Sequence, residues 1–160
     1  DDQLNANAEG AFPYTPATNL LFGLAEAIAM LREEGLPEVF ARHRRFAMAT
    51  RTAVAAWGLD TFATDPLEAS SAVTAVLVPP GSDADALRAV ILDCYDMSLG
   101  SGLGPFKGKL FRIGHLGHLN ALTLMGTLAG IEMGLALAGV PHTPGGVDAA
   151  MGYLTTEGAA

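Results

Sequence analysis

The sequence predicts an α+β fold: a small, mostly antiparallel sheet with helices packed on one face. Three observations point to it. The first third of the chain holds two long stretches whose apolar residues recur at helical spacing. Further on, short strand-like runs at residues 72–78 (AVTAVLV) and 110–114 (LFRIG) alternate with helical segments. Hydrophobic residues make up 50% of the 160 and charged residues 16%, so the chain is built to bury a core.

The elements follow in order. Residues 1–18 read as a loop, because Gly10, Pro13 and Pro16 punctuate it around Phe12, Tyr14 and Thr15. Thr18 or Asn19 is an N-cap for a helix carrying Leu20, Leu21, Leu24, Ile28 and Leu31 on its apolar face. Gly35 ends that helix, and Pro37 opens a second one over residues 37–57, ended by Gly58. Residues 59–63 have strand composition, and the strand at 72–78 stops at Pro79-Pro80. Ser82 caps a helix over 83–95, with Asp83 and Asp85 in the first turn where the helix dipole favours them. A brief strand at 97–99, a glycine-rich loop at 100–109 and the strand at 110–114 come next. A long helix over 119–139, a loop at 141–146 and a terminal helix over 147–154 complete the chain.

Charge and cysteine usage exclude several classes. Nine Lys plus Arg against 17 Asp plus Glu leave a net charge of −8, which argues against nucleic acid as a partner. Arg42, Arg44, Arg45 and Arg51 therefore predict a solvated, ion-paired helix face. Cys94 cannot form an internal disulfide, and its apolar helix predicts core packing. The apolar run at 119–140 carries Glu132 inside it, so it predicts a core helix and not a membrane span. Its Gly126, Gly130 and Gly134 predict close approach of a neighbouring element. No signal peptide is visible and no Met begins the sequence, so the chain is expected to begin inside a longer protein.

Few residues suggest chemistry. The loop GSGLGPFKGK has neither P-loop nor dinucleotide-loop spacing, and its glycines predict positive φ or close backbone approach. His115 and His118 stand three apart, but Gly114 and Gly117 interrupt any helix there, so no metal site is expected. Arg112 alternates with Phe111 and Ile113 and so lies on the opposite face of its strand. Two roles are open to it: a bidentate carboxylate clamp, or a structural ion pair.

Taken together, FPYTPATNLLFGLAEAIAMLREEGL, the helix containing FARHRR, GSGLGPFKGKLFRIGHLGHLN and GGVDAAMGYL carry a family resemblance. They resemble the C-terminal part of serine–glyoxylate and alanine–glyoxylate aminotransferases, class V members of the fold-type I pyridoxal-phosphate enzymes. The resemblance covers residues 10–154, and its two motifs, YTPAT and GLG…GK-x-FRIGHLG, are specific in combination.

The resemblance implies that a large N-terminal domain carrying the Schiff-base lysine precedes this chain, and that two subunits form a homodimer sharing each active site. Residues 1–18 are then the cofactor-reaching loop belonging to that absent large domain, 19–58 connecting helices and 59–160 the C-terminal small domain. Thr15 matches the position that hydrogen-bonds the phosphate of pyridoxal 5'-phosphate. Phe12 stands where relatives place an aromatic residue near it, without the hydroxyl that a Tyr would add. Arg112 matches the arginine that binds the substrate carboxylate. The only lysines, Lys107 and Lys109, do not occupy the Schiff-base position, so no catalytic residue is expected in this chain. His118 departs from the family, where many relatives carry an acidic residue. The implied activity is transfer of an amino group from a small amino acid, serine first, to glyoxylate. Alanine, aspartate or a phosphonate-type donor, or a non-catalytic carboxylate- or protein-binding module, are the alternatives. The implied location is cytoplasmic, with a peroxisomal one left open.

Overall fold

The computed structural model describes residues 2–156. The chain divides into two compact units, Asp1–Val39 and Phe40–Ala160.

The first unit contains α1 (Asp2–Ala8), α2 (Thr18–Glu34) and the start of α3 (Leu36–Ala56). The loop expected over residues 1–18 thus begins with two helical turns. Ala6 and Ala8 favour helix, Gln3 bonds Asn7 one turn on at 3.3 Å, and the turn signals start only at Gly10. Neither Thr18 nor Asn19 caps α2. The cap position is Ala17, whose carbonyl instead accepts from the Leu20 and Leu21 amides. Gly35 does end α2, at φ +86°, a conformation that costs glycine little. No residue of α2 is buried.

The second unit holds β1 (Val73–Leu77), α4 (Ala84–Tyr95), β2 (Gly100–Ser101), a 3-10 turn at Gly104–Phe106, β3 (Leu110–Gly114), α5 (Ala121–Leu137) and α6 (Gly146–Thr156). The three strands form an antiparallel sheet in the order β1-β3-β2, so β3 is central. Val76 pairs with Phe111 and Thr74 with Ile113. Alternation turns Val76, Phe111 and Ile113 into one core with Trp57, Leu87, Ile91, Leu124, Leu128, Ile131 and Leu135, all fully buried. Helices therefore cover one face of the sheet, as the pattern predicts.

Several local expectations are corrected. Residues 59–63 make a single bridge, Thr61 to Val76, because the Thr61 hydroxyl bonds the Ala63 carbonyl at 3.0 Å and turns the chain away. The brief strand falls at Gly100–Ser101 and not at 97–99, since Arg88 Nε takes the Leu99 carbonyl at 2.8 Å. Asp83, not Ser82, caps α4, accepting from the Asp85 and Ala86 amides at 2.8 and 3.3 Å. Cys94 is exposed, so it does not pack in the core. Three of the α3 arginines bond backbone carbonyls: Arg42 to Gly117 at 2.7 Å, Arg45 to Leu154 at 3.0 Å and Arg51 to Ser70 at 3.3 Å. They act as ties between distant segments, with the Arg45 charge set at the carbonyl end of α6.

In α5 the expected close approach holds for two glycines of the three. A side chain at Gly134 would strike Ile91 of α4, and one at Gly130 would stand 2.8 Å from Met97, whereas Gly126 faces open space. Among the described residues no helix is long and apolar enough to cross a membrane. Glu132 accepts from Trp57 Nε1 at 2.8 Å and from the Gly145 and Val147 amides at 2.7 and 3.0 Å. Burial is the largest influence on its carboxyl and pushes the pKa up. The three hydrogen bonds and nearby His142 outweigh it and hold the group below its ordinary 4.5.

Candidate carboxylate-binding site

Arg112 stands in the middle of the central strand, paired with Ala75 of β1 on one side and Gly100 of β2 on the other. Phe111 and Ile113 anchor the strand in the core, which leaves the half-buried Arg112 on the face turned away from that core. Both strand neighbours are small, so the long side chain has room above the sheet. Its Nε donates to the Ser101 carbonyl at 2.9 Å. Among the described residues, no other group bonds it and no carboxylate pairs with it. A half-buried guanidinium with two free terminal nitrogens suits a planar anion carrying two oxygens.

The neighbourhood is held by His115, just past β3 and fully buried. Its amide continues the β1–β3 pairing by donating to the Ala72 carbonyl at 3.0 Å. Its Nδ1 lies 3.1 Å from the Ser71 carbonyl and its Nε2 2.9 Å from the Thr74 hydroxyl. A carbonyl can only accept, which assigns the proton to Nδ1 and makes Nε2 the acceptor from Thr74. Burial, the largest cause, pushes the imidazole below its ordinary 6.5, and the charges of Arg51 and His43 add to this against the Ser71 bond. The ring is a neutral pin at the end of the strand. His118 is exposed, and among the described residues no three His, Cys, Asp or Glu side chains cluster as a metal site.

The other expected residues belong to other segments of the chain. Phe12 is 57% exposed, and Thr15 is exposed with a hydroxyl that bonds no described residue. Both belong to the stretch between α1 and α2 in the first unit. Lys107 and Lys109 are exposed beside the 3-10 turn. Lys109 borders a cleft of about 610 Å³ with Asp60, Pro80 and Ser82, and Arg112 takes no part in it. The glycine loop satisfies both readings of its composition. Gly104 and Gly108 have φ of +54° and +73°, whereas Gly100 and Gly102 admit close neighbours. Sequence reasoning missed Gly100 and Ser101 as the bed of Arg112, and the signal for them was the glycine loop itself.

No protein-family model matches the chain. It is 52% identical over 155 residues to a serine–glyoxylate aminotransferase of Methylorubrum extorquens, covering 96% of this chain and 39% of that protein. A serine–glyoxylate aminotransferase of Arabidopsis thaliana is 48% identical over 144 residues, covering 89% of this chain and 36% of that protein. The crystal structure of pyridoxamine–pyruvate aminotransferase from Mesorhizobium loti superposes with a TM-score of 0.84 at 34% identity, over 91% of this chain and 38% of that one. The chain thus spans about two-fifths of the length of the relatives it matches. With half its residues shared with such a relative and the fold retained, the chain is similar over nearly its whole length to one part of the serine–glyoxylate aminotransferases and has the fold of the matching part of class V, fold-type I aminotransferases.

Proposed function

We propose that this chain is the C-terminal, substrate-carboxylate-binding portion of an aminotransferase that moves an amino group from a small amino acid, serine first, to glyoxylate. The observation that carries this reading is Arg112, whose Nε is tied to Ser101 while its two terminal nitrogens meet no described carboxylate. The names of the two relatives favour serine as donor.

Residues 1–18 then reach the cofactor of a large domain outside this chain, 19–58 connect, and 59–160 form the small domain of a cytoplasmic homodimer. Pyridoxal 5'-phosphate fits the residues present: the exposed Thr15 hydroxyl has no described partner and is free to bond a phosphate oxygen, and Phe12, three residues earlier, offers an exposed ring. The cofactor, held on a lysine of the large domain, supplies the electron sink. This chain's own part is to bind and orient. Arg112 holds both carboxylate oxygens and so sets the angle of the substrate Cα–H bond.

The full-length enzyme is the material for the test. Serine and glyoxylate are expected to give glycine and the keto acid of serine. Arg112→Ala is expected to cost about 2–4 kcal/mol in kcat/KM, and an amine lacking a carboxylate to be far less affected. Equal losses for both substrates, or an unfolded Arg112→Ala protein, would make the arginine structural.

A further inference from the structure

Gly100 lies directly opposite Arg112 in the β2–β3 register. A Cβ placed on it would stand 3.0 Å from Arg112 Cβ, 3.1 Å from Nε and 3.5 Å from Cζ. The first two distances are tighter than ordinary van der Waals contact. Gly100 is not among the glycines with positive φ, so its backbone suits any residue. Space, not conformation, favours a glycine here.

The structure assigns Gly100 as a positioning residue for substrate recognition, acting through Arg112. Lacking a side chain, it lets the guanidinium lie against β2, where the Ser101 carbonyl takes Nε–H at 2.9 Å. A guanidinium can grip a carboxylate end-on through both Nη atoms, or side-on through Nε and one Nη. With Nε engaged, only the end-on grip is left, and the fork is held in one orientation. A methyl group at residue 100 makes the Arg112 side chain give by a few tenths of an ångström, which lengthens the Nε bond to the Ser101 carbonyl and loosens the hold on the fork. This inference rests on the reading of Arg112 as the carboxylate clamp.

The test compares Gly100→Ala, Arg112→Ala and the double variant in the full-length enzyme. Gly100→Ala is expected to raise KM for serine and glyoxylate roughly tenfold, with kcat changed less than about twofold. In the Arg112→Ala background it is expected to add nothing. If Arg112→Ala leaves KM unchanged, the clamp reading fails. If Arg112→Ala raises KM while Gly100→Ala does not, or if the two losses add, the assignment of Gly100 is overturned. A Gly100→Ala protein that does not fold leaves a measurement on the wild type: proton exchange at Arg112 Nε by ¹H–¹⁵N NMR. Exchange slower than at the exposed Arg44 supports the engaged Nε, and equally fast exchange overturns it.

Discussion

The indole N–H of Trp57, the residue after α3, donates to Glu132 of α5 across 2.8 Å. The same carboxylate takes the amides of Gly145 and Val147 at the start of α6, so one side chain ties three helices. It faces the positive end of the α6 dipole, where an anion is favoured. Gly146 completes the joint, because any side chain there would strike the Trp57 indole.

Glu132→Ala is expected to destabilise the fold by about 2–3 kcal/mol, since it strands the buried indole N–H and two helix amides. In a chain of this size that lowers Tm by about 5–10 °C. Glu132→Gln keeps an acceptor and is expected to lose less. Urea unfolding of the three proteins checks the order, and an alanine variant as stable as wild type would falsify the tie.

Two groups set the acid limb of stability. The unfolded Glu132 carboxyl titrates near 4.5 and the folded one lower, so its stabilisation is whole above 4.5 and is lost as pH falls through the folded value. His115 is held below 6.5 when folded, so stability falls as pH drops from 6.5 toward the folded value, where the unfolded chain binds the extra proton. Tm measured against pH is expected to decline from about 6.5 downward, and Glu132→Gln to flatten the part below 4.5. A Glu132→Gln profile parallel to wild type would remove Glu132 from the limb. A His115 ring titrating by NMR at or above 6.5 would contradict its burial.

Gly134→Ala forces a methyl group into Ile91 at the α4–α5 contact and is expected to cost about 1–3 kcal/mol. Gly126→Ala meets nothing within 4 Å and is expected to be neutral or slightly stabilising through helix propensity. Denaturation midpoints of the pair decide the matter. Equal effects would mean that the glycine spacing in α5 does not serve packing.

Thr15→Ala in the full-length enzyme is expected to weaken cofactor retention about fivefold to tenfold, the loss of one hydrogen bond to a phosphate. Equilibrium dialysis against pyridoxal 5'-phosphate reads it. Unchanged retention would remove Thr15 from the phosphate site, leaving Arg112 untouched.

The 160-residue chain alone is expected to self-associate. On α2, Leu20 and Phe22 are 75% exposed, and Leu21, Leu24 and Ile28 are also exposed, on a helix that buries nothing of its own. Such a surface drives association until something covers it. Sedimentation at rising concentration should show it, and Leu20→Glu with Leu24→Glu should reduce it. A wild-type chain that stays monomeric throughout would sink this expectation.

The sequence determined what local chemistry can encode. Alternation around Phe111, Arg112 and Ile113 assigned the faces of β3, and Gly35 ended α2. Each is a matter of φ/ψ preference or side-chain period. Tertiary structure decided what depends on distant partners. Gly100–Ser101 has no strand propensity and is a strand only because β3 pairs with it. Arg42 and Arg45 find carbonyls 75 and 109 residues away, where charge counting predicted a solvated, ion-paired face and gave no sign of these ties. Glu132 reads as one charge in an apolar run until Trp57 and the start of α6 close on it. Arg112 was visible in the sequence as a residue on the outer face. Its free fork is a product of the fold, because only strand pairing brings the Ser101 carbonyl to Nε and leaves the other two nitrogens without a described partner.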